Sequence, residues 1–123
     1  MILYGSAQSE ESTTKVYFVP FEVETYVPIT PETIESQAWE KWTISSKEEN
    51  SRLLRILRGG PEGAYDKNKT RVLIIFGKES YYVDSSGVVR LDGKRDARID
   101  KSALITFRDS LRPDQRQDLR KQQ

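Results

Sequence analysis

Two glutamates and two tryptophans of the N-terminal half have side chains that suit a binding site: Glu32, Glu35, Trp39 and Trp42. Tryptophan side chains are large enough to anchor a protein interface, and acidic side chains around them steer a basic partner during association. We therefore predict a partner-binding site at these residues. The alternative for both tryptophans is a place in the hydrophobic core.

Basic residues of the C-terminal half form an alternative binding site, for nucleic acid: Arg90, Lys94, Arg95 and Arg98. Such sites join aromatic platforms, on which bases stack, to a basic groove that contacts phosphates. Tyr81 and Tyr82 precede these residues in the sequence. Because neighbours in a strand point to opposite faces, at most one of the two tyrosines can serve as a platform.

The residue types that are missing narrow the possible chemistry. The chain has no cysteine, which excludes disulfides, thiolate zinc sites and cysteine nucleophiles. It has no histidine, which removes the commonest general base near neutral pH and the commonest transition-metal ligand. We therefore expect a protein that is not an enzyme and that has no cofactor or metal site. A hydrolase that uses two facing carboxylates remains a third hypothesis.

Charge is unevenly distributed along the chain, although the net charge is only +1. Residues 1–50 contain nine glutamates against three lysines, a net charge of −6, so the remaining 73 residues carry +7. This asymmetry suits an acidic face for a basic partner or a basic face for nucleic acid. Alternatively, the two halves neutralise each other within one fold.

The length of 123 residues is typical of one domain with one hydrophobic core. We predict a flexible lead-in over residues 1–14, a single domain over 15–112 and a disordered tail over 113–123, because both ends lack periodic apolar residues. Residues 1–7 are an apolar stub that ends in Gly-Ser-Ala, similar to the end of an export signal. No run approaches the roughly 18 apolar residues that a membrane span requires.

The elements that must position the candidate residues follow from the apolar pattern. Alternation over residues 16–27 predicts one strand, or two strands broken at a proline. A short helix is predicted to begin at Thr30, whose hydroxyl group can cap it, with a proline at the first helical position. Trp39 and Trp42 then share one face of this helix, or else Trp42 begins a strand.

A second helix is predicted to start at a capping box formed by Ser46 and Glu49 and to end at the Gly-Gly-Pro sequence 59–61. Three arginines recur on it at every third position: Arg52, Arg55 and Arg58. This spacing is typical of the solvated flank of an amphipathic helix, which is our interpretation. Contact with phosphate groups is the alternative.

The apolar run 71–76 predicts a central strand that is covered on both faces. Residues 80–83 and 88–91 continue it as an antiparallel meander, and Asp100 caps a last helix. The order of strand, helices, meander and helix predicts an α+β fold. We expect an antiparallel sheet of about four to five strands, with two to three helices packed on one face.

The hairpin from Ser80 to Arg90, the basic turn after it and the closing helix after Asp100 resemble the C-terminal half of many small bacterial proteins. Among these are immunity proteins that neutralise toxins delivered between competing cells, and inhibitors of cell-wall hydrolases. The resemblance covers about a third of the chain. It implies a bacterial immunity or inhibitor protein, periplasmic or cytoplasmic, that occludes a toxin or hydrolase. A nucleic-acid-binding module is the alternative.

Overall fold

The computed structural model describes residues 13–58, 60–91 and 96–120. In these ranges the chain forms one antiparallel sheet of seven strands, in the order β6-β5-β4-β3-β1-β2-β7. The strands are β1 (Thr14–Phe18), β2 (Glu40–Ile44), β3 (Thr70–Phe76), β4 (Glu79–Asp84), β5 (Val88–Leu91), β6 (Asp96–Arg98) and β7 (Arg116–Asp118). None of the helices within these ranges is long and apolar enough to cross a membrane.

The described helices are α1 (Ile34–Gln37), α2 (Lys47–Leu57), α3 (Lys101–Asp109) and a 3-10 helix (Pro113–Gln115). Side-chain caps fix the start of the two longest. Ser46 Oγ accepts a hydrogen bond from Glu49 N at 3.1 Å before α2. Asp100 Oδ1 accepts one from Ala103 N at 3.2 Å before α3. Both capping residues are those predicted from the sequence.

Helices α2 and α3 pack on one face of the sheet, over the main hydrophobic core. Trp42 of β2 lies within this core and has no exposed surface. Its ring centroid is 5.1 Å from that of Phe18 on β1 and 6.4 Å from that of Phe107 on α3. Leu53 and Leu57 of α2 are buried in the same core. Every second residue of a strand faces these helices, which explains why alternate strand residues belong to the main hydrophobic core.

The opposite face of the sheet carries a smaller core. Val19, Ile29 and Ile34 pack there with Leu73, a residue of β3 whose neighbours face the main core. The helices therefore do not all pack on one face, which corrects the prediction: α2 and α3 cover one face, and α1 packs on the other. The reason is that a strand buried on both faces needs apolar cover on each, and the β1–β2 connection supplies it.

The α+β class and the meander of β3, β4 and β5 are confirmed, but the sheet has more strands than the four to five predicted. The first strand is also shorter than predicted, because β1 ends at Phe18. Pro20 cannot donate a hydrogen bond to a neighbouring strand, and the chain turns there, with Val23 N donating to Pro20 O at 3.2 Å. Residues 21–28 form a loop instead of the predicted strand.

The prediction of a disordered tail is wrong for residues 113–120. Here β7 pairs with β2, and the buried Gln115 donates from Nε2 to Glu49 Oε1 at 3.0 Å and to Thr43 O at 3.4 Å. Backbone pairing and a buried amide hold this segment in place. Neither requires the periodic apolar residues on which the prediction relied.

At the N-terminal end, β1 begins at Thr14, one residue before the predicted start of the domain. Thr14 is buried in the sheet. The remainder of the predicted lead-in, residues 1–12, and the last three residues, 121–123, lie outside the described residues.

Candidate functional site

The segment between β1 and β2, residues 19–39, includes three of the four predicted partner-binding residues, and we call it the acidic connection. It contains four glutamates and no lysine or arginine. All four glutamates are exposed: Glu22, Glu24, Glu32 and Glu35. The segment itself therefore has a net charge of −4, and Lys69, Arg71 and Lys101 line a cleft together with Glu22 and Glu24.

Hydrogen bonds attach the acidic connection to the sheet, in addition to its apolar residues. The buried guanidinium of Arg71 on β3 donates to Val23 O at 2.8 Å. Thr70 N donates to Ile29 O at 3.0 Å. Burial lowers the pKa of Arg71, while the nearby charge of Asp84 acts to raise it. The connection is therefore held at two points along its length, and the residues between these points project outwards.

The large apolar side chains that are exposed in the described structure lie at the tip of the acidic connection. Tyr26 has 108% of its reference exposure and Val27 has 74%. Thr25 Oγ1 donates to Val27 O at 2.6 Å, which stabilises the turn at the tip. Exposed apolar side chains with acidic neighbours, here Glu22 and Glu24, are typical of a surface that becomes buried on binding.

The two tryptophans of the predicted site lie on different sides of the sheet. Trp42 is a strand residue with no exposed surface, so it belongs to the core, and the prediction that it contacts a partner is wrong. Trp39 is half-buried with the smaller core, and the guanidinium of Arg120 lies 4.5 Å from its ring centroid. Glu32, Glu35 and Trp39 therefore lie in the segment that packs on the face with the smaller core, whereas Trp42 lies in the main core on the opposite face.

The sequence reasoning missed Tyr26 and Val27 as candidate binding residues. Alternation up to residue 27 favoured a strand, in which Val27 would be covered. The available signal was the pair Pro20 and Pro28, which bracket this segment. A proline at each end of a short apolar segment disfavours pairing within a sheet and favours a projecting loop.

Of the predicted nucleic-acid site, the structure describes Arg90 and Arg98, which lie on the neighbouring strands β5 and β6. Arg90 forms a bidentate ion pair with Asp96, with both N–O distances at 3.0 Å, and its guanidinium lies 5.0 Å from the ring centroid of Tyr65. Arg98 pairs with Val88, two residues before Arg90, so both arginine side chains start from the same face of the sheet. The other two predicted contacts lie outside the described residues: Lys94 and Arg95.

Shifted pKa values of carboxylates give no support to acid catalysis. Burial alone would raise the pKa of Glu40, but hydrogen bonds from Arg108 and Trp42 and nearby arginine charges outweigh it and hold that pKa below its usual value. The hydrogen bond from Arg90 lowers the pKa of Asp96. A general acid requires a raised pKa. Within the described ranges, no group of three or more acidic side chains is placed to hold a metal ion.

No protein-family model matches the chain, and comparison with curated proteins and with solved structures finds none that is similar to it. The case for a function therefore depends on the chemistry of its own surface.

Proposed function

We propose that this chain is a protein-binding protein and not an enzyme, and that it contacts a basic partner through the acidic connection. The observation that carries the proposal is the exposed pair Tyr26 and Val27, in a segment that has four exposed glutamates. Burial of apolar surface against a partner is favourable, by roughly 25 cal/mol per Å². Acidic side chains around that surface accelerate association with a basic partner.

The attachment of the acidic connection supports a binding role. A loop that is ordered before it binds loses less conformational entropy in the complex. Ile29 and Ile34 are buried, and Arg71 holds the backbone at Val23. The tip is therefore carried by a segment in a defined position, as expected of a loop that enters a cleft.

We further propose that the partner is a bacterial toxin or hydrolase, and that the chain is an immunity protein or inhibitor that occludes it. Enzymes that act on anionic polymers have basic clefts, and a projecting acidic loop is complementary to such a cleft. The resemblance of residues 80–90 and the closing helix to immunity and inhibitor proteins supports the same assignment. It identifies no contact residue, so the contacts are assigned from the acidic connection: Tyr26, Val27, Glu32, Glu35 and Trp39.

The nucleic-acid-binding module is the alternative function, and it has less support. Asp96 already neutralises Arg90, which leaves Arg98 as the described residue of this site without a carboxylate partner. Retention of the chain on DNA or RNA at low salt, with affinity falling steeply as salt is raised, would favour this alternative.

Affinity capture with matched variants tests the proposal. The tagged chain is incubated with an extract of its own cells, washed at low and then high salt, and the bound protein is identified by mass spectrometry. We expect one protein in stoichiometric amount, bound by the wild type and lost with the double variant Tyr26→Ala, Val27→Ser. Glu48→Lys is the control, because Glu48 is exposed on α2, on the other side of the sheet.

Capture of the same proteins by the wild type and the tip variant would overturn the proposal. The purified partner then tests the inhibitor assignment separately. If the partner is an enzyme, its activity should fall to the extent that it is saturated with the chain. A partner that stays fully active when saturated would refute occlusion and leave a binding function.

A further inference from the structure

A cleft of about 740 Å³ lies between α2, the start of α3 and the segment that follows α2, and we call it the arginine cleft. Its volume is in the range of small-molecule sites. Three arginines at α2 dominate its polar lining, Arg52, Arg55 and Arg58, and Arg98 of β6 borders it beside Gly60. The apolar part of its lining includes Ile56, Ile99 and Ala103.

The arginines of this cleft differ from the other described arginines in their partners. In the described ranges, five arginines elsewhere form ion pairs with carboxylates: Arg90, Arg108, Arg112, Arg116 and Arg120. Arg71 is buried and donates to backbone carbonyl groups. Arg52, Arg55 and Arg58, which line this cleft at α2, have neither arrangement in the described structure.

Contacts fix the walls of the arginine cleft without neutralising it. The guanidinium of Arg52 lies 5.3 Å from the ring centroid of Phe107, and its Nη2 is 3.5 Å from Ser110 Oγ, so it is held against α3. On the other wall, Arg98 N donates to Pro61 O at 2.7 Å. The cleft is therefore bounded by packed elements and not by mobile side chains alone.

The first turn of α3 adds to the positive potential of the cleft. Asp100 and Ala103 line the cleft where this nine-residue helix begins, and the N-terminal end of a helix carries a partial positive charge. The carboxylate of Asp100 is engaged as the helix cap, since it accepts a hydrogen bond from Ala103 N at 3.2 Å. The backbone of Arg98 lies against Gly60, and its side chain starts from the opposite face of the sheet, beside Val88. Three guanidinium groups at α2 against one carboxylate therefore leave the described lining basic.

We infer that the arginine cleft binds a small organic phosphate with the size and chemistry of a nucleotide. Guanidinium groups donate to phosphate oxygens in bidentate geometry, and the three at α2 can share two or three phosphoryl groups. The apolar lining from Ile56, Ile99 and Ala103 suits the uncharged part of such a ligand. The cleft lies on the helix-covered side of the sheet, so the inference is independent of the acidic connection.

Isothermal titration calorimetry with ATP, pyrophosphate and adenosine tests the inference. We expect ATP to bind more tightly than pyrophosphate and adenosine to give no measurable binding. Arg55→Gln and Arg52→Gln should each weaken ATP binding about tenfold or more, because each removes charge-assisted hydrogen bonds. Arg112→Gln is the matched control, because Arg112 is exposed outside the cleft, and it should bind ATP as the wild type does.

Three results would overturn the inference. The first is no binding of ATP or pyrophosphate at low salt, and the second is an equal loss of affinity in Arg112→Gln. The third is binding of a single-stranded oligonucleotide by a chain that binds neither small phosphate, which would assign the arginines to a polymer backbone. Thermal melting checks that each variant is folded, and Arg58→Gln replaces any variant whose melting temperature falls.

Discussion

Arg108 of α3 and Glu40 of β2 form a forked ion pair, in which Nε donates to Oε1 at 2.9 Å and Nη2 donates to Oε2. Trp42 Nε1 donates to the same Oε1 at 3.0 Å, and Arg116 Nη2 lies 3.5 Å from Oε2. One carboxylate therefore joins α3, β2 and β7. The Glu40 side chain is 14% exposed, so water screens these interactions only weakly.

We expect Glu40→Gln to lower the free energy of unfolding by about 2 kcal/mol, because two arginines then lose their shared charge partner. Urea denaturation followed by tryptophan fluorescence measures this change. Asp109→Asn is the control, because Asp109 is the other carboxylate that pairs with Arg108, and the side chain of Asp109 is 59% exposed. The control should cost less than about 0.5 kcal/mol, and equal effects of the two variants would contradict the assignment.

Acid should destabilise the chain in part through Glu40 and Asp96. Both carboxyl groups have a lowered pKa in the folded state, so the unfolded chain binds their protons first as the pH falls. Their contribution is fully present above the ordinary values of 4.5 for Glu40 and 3.8 for Asp96, and it is lost as the pH falls through the folded values. Urea midpoints below about pH 4.5 should therefore fall less steeply in Glu40→Gln than in the wild type. Parallel curves would show that Glu40 does not contribute.

We expect Gly60→Ala to destabilise the chain by about 2 kcal/mol or more and to weaken ATP binding at the arginine cleft. A Cβ atom at Gly60 would lie 1.7 Å from Arg98 O, so the segment after α2 would have to move away from β6. Ala64→Val adds volume at an exposed position of the same loop and should be nearly neutral. Thermal melting and calorimetry measure both effects. A stable Gly60→Ala variant with normal ATP binding would refute this close approach.

Charge reversal at Glu32 and Glu35 should slow association with a basic partner about tenfold at low salt and leave the dissociation rate nearly unchanged. Exposed acids act mainly through long-range attraction, which salt screens. Surface plasmon resonance at increasing salt measures the two rates, and the difference from the wild type should shrink as salt rises. Glu48→Lys carries a charge reversal outside the acidic connection. Association rates that are the same in all variants would reject the assignment of Glu32 and Glu35.

Signals confined to one turn or one strand were sufficient to predict much of the fold. Ser46 and Asp100 were recognisable as helix caps because each side chain bonds an amide only three residues away. The run 71–76 predicted a strand covered on both faces because its apolar residues leave neither face polar, and residues 72 to 74 are indeed buried.

Contacts between distant segments were not predictable from such signals. The pairing of β7 with β2 depends on backbone hydrogen bonds and on the amide of Gln115, and no apolar pattern reports either. The arginines of α2 were interpreted as a solvated flank, and Arg55 and Arg58 are exposed, but their spacing says nothing of the start of α3, which the fold brings beside them. For the same reason the sequence did not assign Trp39 and Trp42 to different environments, whereas β2 places Trp42 in the core.

The short strand β7 lies beside β2 at one edge of the sheet, so it determines how much unpaired backbone this edge presents to other chains. Without it, β2 would present a row of unpaired N–H and C=O groups over Glu40–Ile44, and such an edge is a template for pairing with further strands. β7 is three residues long and carries Arg116 and Asp118, so it is too short and too charged to act as a template itself. The segment after Pro113 therefore covers residues 40–42 of this edge and reduces the length of β2 backbone that another chain could pair with.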